Sequence, residues 1–254
     1  MIDLHSHILP GLDDGARTLD DALEIARAAM ADGITTIAAT PHVREDYPTT
    51  ADAMEIGVRQ LRAAFERERI ELELLPGGEV SLEQLDRLSH DELRRFGLAG
   101  NPKYLLIETP YMDWPLGFGD IVSRLRSQGV TAVIAHPERN GAVQADLEKV
   151  ERLVHGGALI QVTAASLDGR LGSRPRACAR RLLDAGLVHM VGSDAHAGGI
   201  REVGLSAASK AIGNPSLARW LTEEVPAAIV RGEELPPRPV AQRRPGLFAR
   251  LLGR

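Results

Sequence analysis

A repeated alternation constrains this chain more than any other feature. From the N-terminus to about residue 191, short runs of β-branched and aliphatic residues precede segments with helical periodicity. The spacing predicts strands at 2–4, 35–39, 72–75, 104–107, 131–135, 159–163 and 188–191. Helices are expected between them, at about 18–32, 51–68, 81–95, 119–128, 144–155 and 174–185. Gly33, Gly129 and Gly186 each follow a helical stretch at the spacing of a C-cap. Ser81-Leu82-Glu83-Gln84 resembles a capping box opening the third helix. Repeated βα alternation implies a parallel sheet covered by helices. Seven or eight such units in about 235 residues suggest an α/β fold closer to a distorted TIM-like (β/α)7 barrel than to an open sheet. Residues 1–235 then read as one domain, followed by a tail at 236–254.

Composition narrows the setting. A single cysteine, Cys178, excludes an internal disulfide framework. No run approaches the roughly 20 apolar residues that span a bilayer. Met1-Ile2-Asp3-Leu4-His5 has no basic leader character and no cleavage site, so a cytoplasmic location is expected. The net charge is −5, and the tail alone carries Arg238, Arg243, Arg244, Arg250 and Arg254 with no acid. Removing those five arginines leaves a body of −10. Such an acidic body argues against a broad nucleic-acid surface, and no nucleic-acid partner is expected. The prolines between 236 and 245 favour an extended linker. Leu247, Phe248, Leu251 and Leu252 fall at helical spacing beside Arg250 and Arg254, a pattern that suits a membrane surface or a partner.

The polar residues are placed systematically. His5, His7, Asp13 and Asp14 surround the first strand, and His42 follows the second. Glu79 follows the third, Glu108 the fourth, and His136, Glu138 and Arg139 the fifth. Asp194 and His196 follow the last, whereas strand six offers only Gln161 and Thr163. In a parallel barrel the C-terminal strand ends converge on one face, which carries the active site. Five of the eight histidines and several carboxylates should therefore point into one bowl. The alternation of side chains along an extended segment puts His5 and His7 on the same side. Clustered carboxylates would repel one another unless cations sat among them. The donors exceed the three or four groups that one catalytic ion needs, so two or three divalent metals are expected. Imidazole and carboxylate suit Mn²⁺, Fe²⁺ or Zn²⁺. His90, His155 and His189 fall outside these positions and are expected on the surface or in the core.

Several stretches carry a family resemblance. They are DLHSHILPGLDDGA at 3–16, ATPHV at 39–43, GGEV at 77–80, HPERN at 136–140 and GSDAH at 192–196. Their order resembles the PHP superfamily. Their wording is similar to the bacterial manganese-dependent tyrosine phosphatases of capsule and exopolysaccharide operons, the CpsB/CapC type, over about residues 1–231. The resemblance implies a PHP fold and a trinuclear site. His5, His7, Glu79 and Asp194 would hold one metal, Asp14, His42 and His196 a second, and Glu79, Glu108 and His136 a third. Adjacent Asp13 could take the place of Asp14. The family's phosphate-contacting arginines would correspond to Arg139 and Arg201, with Arg44 a weaker third candidate. Ser6 stands where many relatives have Cys, with its side chain directed away from the flanking histidines.

That resemblance implies hydrolysis of protein phosphotyrosine by a metal-activated hydroxide, with Mn²⁺ as the favoured metal. Asp194 would accept a proton, and Arg139 and Arg201 would stabilise the equatorial oxygens. The implied partner is the tyrosine-rich tail of a bacterial tyrosine autokinase of exopolysaccharide synthesis, and a homo-oligomer is compatible. Tyr47, Tyr111, Trp114 and Phe118 lie on two loops near the same rim, where they could stack on a phenol ring. Histidinol phosphate or another small phosphoester is the alternative substrate, and a non-catalytic metal-binding regulatory module the alternative of another class. A cysteine-dependent phosphatase is excluded, because Cys178 lacks the Cys-x5-Arg spacing and falls in a helix.

Overall fold

The computed structural model describes residues 1–197 and 202–239. Nine strand segments lie among them: β1 (Ile2–Ser6), β2 (Thr36–Ala39), β3 (His42–Val43), β4 (Glu73–Leu75), β5 (Glu79–Val80), β6 (Tyr104–Glu108), β7 (Thr131–Ala135), β8 (Leu159–Thr163) and β9 (Met190–Gly192). Every pairing is parallel, in the orders β1-β2-β4 and β3-β5-β6-β7-β8-β9. Two strands are broken in mid-course. Thr40-Pro41 separates β2 from β3, and Pro76-Gly77-Gly78 separates β4 from β5. Proline cannot donate to a ladder, so the ladder stops there and resumes beyond it. Counting each broken pair as one gives seven strands.

The ring closes between the two ends of this order. Ser6 bridges Ala195, the Asp194 amide donates to the His5 carbonyl at 2.9 Å, and the His7 amide donates to the Ala195 carbonyl at 2.9 Å. The fold is thus the expected α/β, TIM-like barrel. Its central strands are buried on both faces, with no exposed residue along β8. Strands covered by helices require such near-continuous apolar runs.

Most helices begin where their caps place them. Thr18 and Asp21 form a capping box at Leu19–Ala31, and Thr50 caps Ala51–Glu68. Gly33, Gly129 and Gly186 all have positive φ just past helix ends, as their spacing required. The third expected helix is a correction. Ser81 makes no cap; its hydroxyl bonds Glu83, and only a 3-10 turn, Leu82–Asp86, follows. The capping box belongs to Ser89 and Glu92, which open the short helix His90–Arg95. The expected helix at 144–155 is also divided, into Gly141–Ala145 and Glu148–His155. Asn140 caps the first piece, and Asp146 leaves helical geometry at φ −144° to accept from the Glu148 amide.

Three helices beyond residue 204, Leu205–Ile212, Pro215–Arg219 and Val225–Arg231, were not placed by the strand pattern. Trp220, Leu221, Val225 and Ile229 bury themselves in the core from this region. The start of the proline-rich stretch packs there too. Trp220 Nε1–H donates to the Pro236 carbonyl at 2.9 Å, and Arg238 donates to the Val188 carbonyl at 2.6 Å. The Arg238 guanidinium also lies 5.4 Å from the Trp220 ring centre. Residues 240–254, with the remaining tail arginines and the Leu247–Leu252 pattern, lie outside the described residues. No helix among the described residues is long and apolar enough to cross a membrane.

His189 shows what this packing does to a titratable group. Its Nδ1 accepts from the Ile160 amide at 3.2 Å. Burial first, and then the nearby Arg238 charge, push its pKa down to about 4 from the ordinary 6.5. The unfolded chain therefore binds more protons than the folded one between these values, and stability falls as pH drops through that window. His189→Gln keeps an acceptor for Ile160 but cannot titrate. In urea denaturation the variant should lose less stability than wild type from pH 6.5 to pH 4, by about 1–2 kcal/mol.

Candidate metal centre

The strand ends deliver their side chains to one pit. His5 and Ser6 end β1 and His7 continues the extended chain, so both imidazole rings face inward, while the Ser6 hydroxyl donates backwards to the Ala38 carbonyl at 2.7 Å. The two Nε2 atoms come within 3.3 Å of each other. His42 starts β3, Glu79 starts β5 and Glu108 ends β6. His136 and Asp194 turn in through left-handed backbone, with φ of 40° and 52°. Non-glycine residues adopt this region at a cost, and such outliers concentrate at functional sites.

Glu79 occupies the middle. Its Oε2 lies 3.4 Å from His5 Nε2, 3.4 Å from His7 Nε2 and 3.0 Å from His42 Nδ1, and its Oε1 lies 2.8 Å from His136 Nε2. Asp194 Oδ1 approaches His7 Nε2 at 3.3 Å and His5 Nε2 at 3.6 Å. Asp14 Oδ1 lies 3.2 Å from His196 Nε2 and 3.4 Å from His42 Nε2. The adjacent Asp13 does a different job. It accepts from His7 Nδ1 at 2.6 Å and from the His42 amide at 2.9 Å, which turns the other face of His7 toward the pit. Gln161 does the same for His5, with Oε1 at 3.0 Å from Nδ1. Asp3 accepts from the His5 and Ser193 amides and ties β1 to the end of β9.

The electrostatics follow from this crowding. Burial opposes the charge of Glu79, but His5 and His136 hold it well below the usual carboxylate range. Asp194 is likewise held low against burial by His7, His5 and His136. Burial also opposes charge on His42, yet the adjacent Asp14 and Glu79 carboxylates prevail and raise it to about 9. Burial wins at His136, which falls to about 4.

These residues fit divalent metals. Four groups have ligand atoms within 4.8 Å of one another: His7, Asp14, His42 and His196; His5, Glu79 and His136; His5, His7 and Asp194; and His42, Glu79 and Glu108. Glu79 Oε2, His42 Nδ1 and His136 Nδ1 are buried without a hydrogen bond. Polar atoms taken out of water and left without donors are costly, and a cation would satisfy lone pairs of this kind. All nine expected donors fall in these groups. The expected third set is divided, however: His136 joins His5, whereas Glu108 joins His42 with its other oxygen held by Arg44 at 2.8 Å. The guanidinium is a strong local partner for that carboxylate.

Arg139 stands at the edge of the pit. It donates to Asp194 Oδ2 at 2.5 Å and to the Tyr111 hydroxyl at 2.7 Å. Arg201, the other expected phosphate contact, lies outside the described residues. The Tyr111 ring is parallel to that of His136 within 3°, at 6.3 Å, and Tyr47 stacks on His42 at 5.7 Å. Trp114 and Phe118 do not join them. Phe118 is buried and packs against Trp114 at 5.2 Å, so this pair anchors its loop from the core side. Cys178 is buried in the helix Ser173–Asp184, and burial pushes its thiol up to about 12. That leaves it inert as a nucleophile.

A family model described as capsular polysaccharide synthesis, CpsB/CapC, matches residues 1–222. The chain belongs to the CpsB/CapC family. It is 40% identical over 198 residues to the tyrosine-protein phosphatase YwqE of Bacillus subtilis (strain 168), covering 77% of each chain. It is 33% identical over 199 residues to the putative tyrosine-protein phosphatase CapC of Staphylococcus aureus, again covering 77% of each. Among solved structures, it superposes with a TM-score of 0.84 and 35% identity on one from the crystal structures of YwqE from Bacillus subtilis and CpsB from Streptococcus pneumoniae, which are metal-dependent tyrosine phosphatases. That match covers 95% of this chain and 100% of the other.

Within this CpsB/CapC chain, Asp13 offers a test of how the histidines are aimed. Asp13→Ala should weaken divalent-metal binding by about 10- to 100-fold, the usual cost of losing a carboxylate behind a ligating histidine. Equilibrium dialysis with metal analysis measures it, and an unchanged affinity would show that His7 needs no such support.

Proposed function

We propose that this protein hydrolyses phosphotyrosine on a partner protein, with two or three divalent cations, Mn²⁺ foremost, held by His5, His7, Asp14, His42, Glu79, Glu108, His136, Asp194 and His196. The observation that carries this reading is the convergence of all nine side chains in one pit with Arg139 beside it, on a chain 40% identical to YwqE. Bound cations would supply a water of lowered pKa and neutralise phosphate charge. The chain's own residues would do the rest.

Arg139 is aimed into the pit by Asp194 and Tyr111. A phosphate dianion arriving there competes for the guanidinium, which grips two oxygens at once. Arg201, by its place in the sequence, would supply a second grip. Asp194, relieved of Arg139, would be the group to take a proton from the attacking water. Tyr47 and Tyr111 flank the opening with aromatic faces suited to the phenol of the substrate. Phenolate leaves readily, so the reading needs no dedicated side-chain acid. The substrate it favours is the tyrosine-bearing tail of a capsule or exopolysaccharide kinase, acting in the cytoplasm. Residues 1–235 would form the catalytic body, and 236–254 an arginine-rich tail toward a partner or membrane surface.

Three measurements test this. Chelation should abolish hydrolysis of a phosphotyrosyl peptide, and Mn²⁺ should restore it. His136→Ala should lower kcat by at least about 100-fold while circular dichroism stays native, because the change removes a proposed ligand from a loop beyond β7 and leaves the strand ladder intact. Arg139→Lys should lower kcat/KM by about 10- to 100-fold, since an ammonium cannot make the paired bonds. Preference for histidinol phosphate over the peptide by orders of magnitude would replace this reading with the small-molecule one.

A further inference from the structure

A cleft of about 540 Å³ opens beside the pit, between the segment after β3 and the segment after β6. It shares Glu108 and Tyr111 with the site just described, so a chain entering the pit by this side must lie along it. Its two lips differ in chemistry. Pro110, Tyr111, Pro115 and Leu82 make one lip apolar. Met112 and Leu116, on the same loop, are 76% and 100% exposed. Glu45, Asp46 and Glu83 make the other lip acidic.

Charge accounting sharpens the contrast. Among the described residues the only cation lining the cleft is Arg44, and it is engaged twice over, bidentately with Asp46 at 2.6 and 2.7 Å and with Glu108 at 2.8 Å. Arg87 reaches Glu45 only at 4.0 Å, with both side chains mostly in water. Glu83 has no cation within ion-pair distance among the described residues; its carboxylate accepts only from the Ser81 hydroxyl at 3.3 Å. Glu45 and Glu83 thus face the cleft with their charge little offset.

We infer that this cleft seats the residues next to the phosphotyrosine and selects substrates carrying a lysine or arginine there, its ammonium or guanidinium between Glu45 and Glu83 and its methylene stem on the apolar lip. Long basic side chains suit such a lip, because the stem packs while the charge stays solvated. The inference rests on the phosphotyrosine reading and adds sequence selectivity to it. It also explains why the pit is open on one side: a small phosphoester would leave the cleft empty, whereas a polypeptide fills it. Complementary charge acts here mainly as discrimination between substrates.

The test uses the full-length, Mn²⁺-loaded protein and a set of phosphotyrosyl peptides of equal length. Each carries Lys, Ala or Glu at one position, moved stepwise along either side of the phosphotyrosine. kcat/KM is measured on these and on p-nitrophenyl phosphate. Fluorescence anisotropy on matching peptides with a non-hydrolysable phosphonate gives binding without turnover. At one or more positions on one side, Lys should exceed Glu by roughly two- to fivefold per acidic partner in both assays, and added salt should shrink the difference. Glu45→Lys with Glu83→Lys should reverse the preference while leaving p-nitrophenyl phosphate turnover unchanged. If that variant is unstable, Glu45→Gln with Glu83→Gln should abolish the preference. Equal binding of Lys and Glu peptides, or a preference that survives either variant, overturns the cleft. Absence of turnover on every substrate strikes the phosphatase reading instead, and the anisotropy preference still decides the cleft.

Discussion

A carboxylate without access to water, Glu79, sets the terms for the rest of this molecule. Its burial would be prohibitive without compensation, and four imidazoles supply it, from His5, His7, His42 and His136. Those four come from β1, β3 and the end of β7, so three remote parts of the chain must arrive together. Glycine makes the approach feasible. A Cβ on Gly78 would meet Phe96 at 2.6 Å, and one on Gly15 would meet the His7 carbonyl at 2.1 Å. The backbone passes close behind the pit in both places, where any side chain would push the donors apart.

The same residues also close the fold. The seam between β1 and the segment beyond β9 is made by the backbones of His5, His7, Asp194 and Ala195, with Asp3 bonding across it. Support and chemistry are not separate layers here. A change that loosens the seam moves two proposed ligands on each side of it, and a change in charge at the pit alters what the seam must tolerate. The cleft is lined by residues after β3, after β5 and from the end of β6 onward, none of which contributes to this seam.

The sequence was most legible where one physical requirement dominated. Strands 131–135 and 159–163 were expected and found with the same bounds, because burial on both faces favours β-branched and aliphatic runs. The site donors were legible because each follows a strand end, and parallel strands share a direction. What failed did so for local reasons. Ser81-Leu82-Glu83-Gln84 has the composition of a capping box, but Ser81 directly follows β5, and the helix waits for Ser89. The two-residue strands β3 and β5 are too short for any periodicity. The Arg44 bond to Glu108 spans 64 residues, and no spacing reveals it. Asp13 and Gln161 as aiming groups were equally hidden, since their partners depend on ring orientation. Trp114 and Phe118 lay near the rim in sequence, but aromatic residues on loops as often hold the loop down as face the solvent.

The position of the seam has a temporal meaning as well. A ribosome delivers His5 and His7 among the first residues, and Asp194 and His196 only after almost two hundred peptide bonds. The partly made polypeptide thus carries two of the nine proposed donors long before the set is complete. Any cage these donors build is finished only after the last strand has emerged and docked against the first.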